Sequence, residues 1–166
     1  AADSLVHAGG VAAWDFKQYV IGMLFYRYIS ENLTSYININ EEAAGNVGFN
    51  YADLSDEEAE KAREELVQSK GFFILPSELF INVRKRAKDD ENLNETLERV
   101  FKNIEESAQN SESEDNFKGL FDDVDVNINK LGATVVQRNE KLVTLLNVIG
   151  DMQLGDFKEN TIDLFG

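Results

Sequence analysis

Few residues of this chain have the chemistry to drive a reaction, and their spacing narrows the choice further. The only histidine, His7, stands beside Gly9 and Gly10, with no second His and no Cys to share a metal ion. It therefore reads as a surface residue and not as a ligand. The lack of Cys also excludes a disulfide scaffold and a thiolate zinc site. A phosphate cradle needs several glycines at the start of a helix, so that backbone N–H groups can approach the anion. The 11 glycines here are scattered, and none forms G-x-G-x-x-G or a Walker A run. Catalytic loops that grip a nucleobase often carry two adjacent prolines after Asp or Asn, whereas Pro76 stands alone. No reactive centre is legible.

Two charged clusters remain. Asp122-Asp123-Val124-Asp125-Val126-Asn127 resembles the start of a calcium loop. Counted from Asp123, Ile128 stands where the turn needs Gly, and Thr134 where the shell needs a bidentate Glu. The segment reads as a solvated acidic turn. Arg84, Lys85, Arg86 and Lys88 form the one basic cluster, answered at once by Asp89, Asp90 and Glu91. Cations at a helix C-terminus favour the macrodipole, and a small patch inside a net charge of −15 steers DNA poorly. By itself the chain is not expected to bind DNA strongly.

The elements that must carry these residues read as helices. Phe16, Tyr19, Val20, Met23, Leu24, Tyr28, Leu33 and Ile37 fall at helical spacing for about six turns. Asp15 is the expected N-cap, and Phe25 and Ile29 widen the stripe, which makes this helix the spine of the core. Asn38 to Asp53, with Gly45 and Gly48, reads as a long loop. Ser55 to Glu58 matches a capping box that opens a charged helix running to Lys70, with Gly71 as its C-cap. Phe72 to Leu75 is a strand or an extended plug, and Pro76 fits the first turn of the next helix, with Leu79, Phe80 and Val83 inward. Asn92 opens a helix with Leu93, Leu97, Val100, Phe101, Ile104 and Ala108 on one stripe. Phe117 to Phe121 marks a short helix or turn, and Thr134-x-x-Gln137 is a second capping box before a last long helix. The expected fold is all-α, a compact bundle of about five to seven helices.

Composition agrees. A chain of 166 residues with 43% hydrophobic side chains, among them 11 Phe and 5 Tyr, has too much core material for an acidic tail. One domain spanning residues 1–166 is expected. The most apolar run, Tyr19 to Tyr26, meets Arg27 long before the roughly 20 residues that cross a bilayer, and no basic leader opens the chain. The expectation is an intracellular, cytoplasmic domain outside the membrane.

Longer segments carry a resemblance. The run from Trp14 to Asn32 resembles the opening helix of the modification subunit of type I restriction–modification systems, HsdM. Lys70-Gly71-Phe72-Phe73-Ile74-Leu75-Pro76-Ser77-Glu78-Leu79-Phe80 is similar to that family's Gly-aromatic-aromatic-Ile-x-Pro-Ser stretch. Lys118-Gly119-Leu120-Phe121, Leu131-Gly132, Leu154-Gly155-Asp156-Phe157 and Ile162 to Gly166 follow in the family's order. The chain departs from it at Val6 to Ala13, where relatives often carry Arg-Gly and Val-Asp-Gly before the Trp.

The resemblance implies a helical N-terminal domain of an adenine-specific DNA methyltransferase subunit. In the family a larger domain follows, which binds S-adenosylmethionine and carries the Asn-Pro-Pro-aromatic motif. It would begin after Gly166, and Thr161 to Gly166 reads as the first turn of a helix. This part would then hold no cofactor and no catalytic residue. The implied partners are a specificity subunit, a second modification subunit, a restriction subunit and DNA in the assembled complex. The residues expected to touch DNA or a partner are Lys17, Arg27, Arg84, Lys85, Arg86 and Lys88. Cut from its neighbours, such a domain is expected to self-associate. The alternative is a stand-alone acidic interaction module, such as a DNA mimic or adaptor.

Overall fold

The structure, a computed structural model, describes residues 13–111, 113–122, 124–127 and 131–153. Among them are seven α-helices and no strand: α1 (Ala13–Ala43), α2 (Asp56–Glu60), α3 (Arg63–Lys70), α4 (Phe80–Ala87), α5 (Leu93–Ser107), α6 (Glu114–Phe121) and α7 (Val135–Asp151). None of these helices is long and apolar enough to cross a membrane. The expected all-α bundle is present, and α1, α4 and α7 pack pairwise around a single core.

The spine buries Tyr19, Met23, Tyr26, Ile29 and Leu33, spaced three or four residues apart. That spacing keeps one face inward along the helix. Tyr26 is fully buried, edge-on to both Phe80 and Phe101. Phe101 stacks on Phe121 with centroids 4.6 Å apart, and Phe117 meets Phe72 and Phe25. These rings join α1, α4, α5 and α6, and such pairs add about 0.5–1.5 kcal/mol each beyond the area they bury.

Five local expectations are corrected. Asp15 lies inside α1 and is not its N-cap, because Ala13 is already helical. The loop expected from Asn38 starts later, since α1 runs on to Ala43. Asn38 does not break the helix, because its Oδ1 is occupied by the Tyr51 N–H, 2.8 Å away. The true stop is a Schellman motif around Gly45 at φ +101°, where Asn46 N–H reaches the Glu41 carbonyl and Gly45 N–H the Glu42 carbonyl. The helix expected from Ser55 to Lys70 is two. Lys61 and Ala62 close on Glu58 and Ala59 by i→i−3 bonds, and the axis breaks there.

The capping box at Ser55 is half formed. Its hydroxyl accepts the Glu58 N–H, while the Glu58 carboxylate pairs with Lys61 instead of returning to the cap. Finally, Pro76 opens a 3-10 turn (Pro76–Glu78), one turn ahead of α4. The other signals hold: Gly71 caps α3 at φ +87°, and Thr134 and Gln137 complete a reciprocal box on α7. Phe72 to Leu75 is an extended plug with Phe72, Phe73 and Ile74 buried.

Candidate assembly surface

The six cations singled out by the sequence do not form one patch. Arg27 turns inward from α1. It pairs with Glu31 at 2.8 Å and donates to the Ile149 and Met152 carbonyls, 2.7 and 2.5 Å away, at the end of α7. Arg84 reaches the same helix end from α4, donating to Asn147 Oδ1 and pairing with Asp151. The structure thus brings Arg27 and Arg84 together on one helix terminus, where carbonyls lack intrahelical partners and partial negative charge collects. Both fasten α7 to its neighbours.

The remaining four face outward. The Arg86 guanidinium bonds to the Ser77 carbonyl at 2.7 Å but stays exposed. Lys85 on α4 and Lys88 at its C-cap, three residues apart, are both exposed. Lys17 is exposed near the start of α1, ten residues or about 15 Å along the axis from Arg27.

Inward polar groups tie elements together. Ser30 Oγ accepts the Phe80 N–H and so receives the start of α4 on the spine. Asp56 accepts both the N–H and the hydroxyl of Ser77, joining α2 to the 3-10 turn. Tyr26 donates its phenol proton to the Glu78 carbonyl. The Glu78 side chain is buried and accepts from Asn103 at 2.9 Å, with Arg99 3.8 Å away. Burial pushes its carboxyl above the ordinary range, against the opposing Asn103 bond and Arg99 charge. Asn139 bridges α7 to α5, accepting from Asn94 N–H and donating to the Glu91 carbonyl.

The acidic segment after α6 is also structural. Val124 and Val126 are buried, while Asp122 and Asp125 face solvent. The Asp125 carbonyl accepts the Tyr19 phenol at 2.6 Å, and its side chain closes a turn onto Asn127 N–H. Among the described residues no three His, Cys, Asp or Glu side chains stand close enough to share a metal ion. His7, and the quoted segments from Leu154 to Gly166, lie outside the described residues.

Sequence reasoning missed the inward turn of Arg27 and the burial of Glu78. It also passed over Gly150, where an added Cβ would overlap the Arg84 side chain. An isolated glycine inside a helical pattern was the available signal for that last one.

A bundle fastened in this way has known relatives. The profile of the HsdM N-terminal domain matches residues 1–149. The chain belongs to the HsdM N-terminal domain family. It is 45% identical over 165 residues to the type I restriction enzyme MpnII methylase subunit of Mycoplasma pneumoniae, a match that covers 95% of this chain and 30% of that protein. The chain therefore spans less than a third of that relative's length. Its fold is similar to the crystal structure of the type I restriction–modification methyltransferase subunit from Streptococcus thermophilus, with a TM-score of 0.72 at 22% identity. That likeness covers 97% of this chain and 36% of the other. At such identity it speaks for the HsdM-type fold alone.

Proposed function

We propose that this domain is the helical platform of a type I restriction–modification methylase subunit, where it joins subunits and helps close them around DNA. The observation that carries the reading is the HsdM N-terminal family match across residues 1–149, with 45% identity to a methylase subunit. The geometry supports it. Arg27 and Arg84 are spent on stiffening the bundle, and Lys17, Lys85, Arg86 and Lys88 remain outside for phosphates or partner carboxylates.

On this reading the methyl donor is S-adenosylmethionine, bound by another region of the same subunit. The acceptor is N6 of an adenine drawn out of the duplex. The partners are a specificity subunit, a second modification subunit and a restriction subunit, all in the cytoplasm. The isolated chain is expected to self-associate through apolar surface such as Val47 and Val136, exposed by 82% and 67%.

The test uses the full-length subunit reconstituted with its specificity subunit. Lys17→Glu, Lys85→Glu and Lys88→Glu together are expected to weaken DNA binding at least tenfold and flatten its salt dependence, with assembly intact. Unchanged DNA binding removes these lysines from the interface. Failure of this chain to retain the specificity subunit in a pull-down, with and without the catalytic half, overturns the assembly role. Sedimentation showing only monomer at high concentration counts against self-association.

A further inference from the structure

Beyond the basic face of α4, a groove lies at the opposite charge extreme. It has a volume of ≈ 330 Å³ and opens between the C-terminal part of α1, the returning segment after Gly48, and α2 with α3. That is within the range of about 300–1,000 Å³ typical of ligand clefts. Its floor is apolar, made by the buried Tyr51, Ala59 and Leu66, and Tyr36 and Phe49 stand half-buried in its walls. The floor is fixed from below. Asn38 holds the Tyr51 N–H, and the Tyr51 phenol donates to the Ile74 carbonyl at 2.7 Å.

The rim is acidic. Glu41, Glu58 and Glu65 line it, and no basic residue does. Where ammonium groups of the chain itself come near, they settle on this surface. Lys61 pairs with Glu58 at 3.0 Å, and Lys70 lies 5.0 Å from the Tyr36 ring centroid. An apolar floor inside a ring of carboxylates and aromatic faces suits an apolar side chain flanked by cations. Its carboxylates disfavour a phosphate backbone.

We infer that this groove docks a basic amphipathic helix of a partner protein, with a leucine-type anchor on the Tyr51, Ala59 and Leu66 floor and Lys or Arg against Glu58 and Glu65. Charge complementarity selects this occupant, because the carboxylates of Glu41, Glu58 and Glu65 line the groove. The inference stands on the groove alone and is independent of the proposed assembly role.

The probe is a fluorescein-labelled 16-residue helical peptide with Leu at i, i+3, i+4 and i+7 and Lys or Arg elsewhere. Titrated into the intact chain, it is expected to bind saturably and to shift the amide resonances of Tyr36, Phe49, Leu54 and Ala62. Glu65→Lys, at an exposed position with no ion pair among the described residues, is expected to weaken binding at least fivefold, and Glu58→Lys with Glu65→Lys at least twentyfold. Circular dichroism identical to the parent keeps either loss attributable to the groove. A peptide with Ser in place of Leu is expected to lose at least tenfold, and one with Glu in place of its cations to lose binding altogether. The inference is overturned if the Ser peptide binds equally well, since that reports diffuse charge. It is equally overturned if the shifts fall on another face, if duplex DNA competes at the same residues, or if a second copy fills the groove.

Discussion

The Arg27 guanidinium, carried by the spine helix α1, donates to the Ile149 carbonyl of α7 across 122 residues of sequence, at 2.7 Å. A second bond from the same nitrogen reaches the Met152 carbonyl. One side chain therefore closes the end of the last described helix onto the first. Its Glu31 partner sits on α1 itself, so the guanidinium is also held from its own helix. A cation that the sequence offers as a surface contact thus serves the interior.

Removing it should unfasten α7. Charged hydrogen bonds contribute about 1.5–3 kcal/mol, and the two carbonyls can regain part of that from water at a helix end. Arg27→Ala is expected to cost about 2–3 kcal/mol in urea unfolding. Arg27→Lys should recover a minor part, since one ammonium cannot copy the planar fork that spans Glu31 and two carbonyls. A loss below half a kcal/mol would mean that water replaces Arg27 freely.

The second arginine on that terminus yields a coupled prediction. Gly150 is the penultimate residue of α7, and a Cβ there would overlap the Arg84 side chain. Gly150→Ala gains helix propensity, less than the about 1 kcal/mol of a helix interior, but must expel Arg84 from Asn147 and Asp151. We expect the single change to be neutral or destabilising. In an Arg84→Ala background the same change should stabilise, by up to about 1 kcal/mol. A double-mutant cycle reads the coupling, and additivity would show that Arg84 does not need the glycine.

These two arginines show where sequence reasoning reaches and where it stops. Helix existence was legible, because Tyr19, Met23, Leu24, Ile29 and Leu33 of the stripe read from the sequence are buried, whereas the buried Tyr26 was not on that stripe. Caps with a local chemical signature were legible too, as at Gly71 and Thr134. The break at Lys61–Ala62 was not, because nothing local forbids a helix there and packing alone bends the chain. The destinations of Arg27 and Arg84 depend on α7 arriving from more than 60 residues away. The groove between α1 and α3 likewise exists only once Gly45 turns the chain back, a tertiary fact with no sequence period.

Two buried phenols set the alkaline limit. Burial pushes the Tyr26 hydroxyl well above the ordinary phenol range, with Glu78 adding to the effect and Arg86 opposing it. Burial raises Tyr51 as well, helped by Asp56. Both phenols donate to carbonyls, so ionisation would also break a hydrogen bond. Above pH about 10 the unfolded chain releases these protons while the folded chain keeps them, so stability falls as pH rises. An absorbance titration should show Tyr26 and Tyr51 ionising only together with unfolding. Tyr26→Phe should remove one of the two delayed protons and cost about 1–2 kcal/mol at neutral pH. Five tyrosines titrating freely in a folded chain would refute this.

Glu78 acts in the opposite part of the pH range. The residue is 6% exposed, and burial raises its pKa against the Asn103 hydrogen bond and the Arg99 charge. The folded chain therefore holds this proton to higher pH than the unfolded chain. Below the ordinary carboxylate value of about 4.5 its contribution to stability is complete, and it declines as pH rises through the raised native value. Above that, the fold carries a buried anion held by the Asn103 hydrogen bond and the Arg99 guanidinium 3.8 Å away. Glu78→Gln keeps an acceptor for Asn103 and removes the charge, so it should raise the melting temperature at pH 8 and change little at pH 4. Glu140→Gln on the exposed face of α7 serves as control for the general loss of one negative charge from an acidic protein. If Glu78→Gln gains no more than that control at pH 8, the Arg99 pairing outweighs burial and the carboxylate is stabilising.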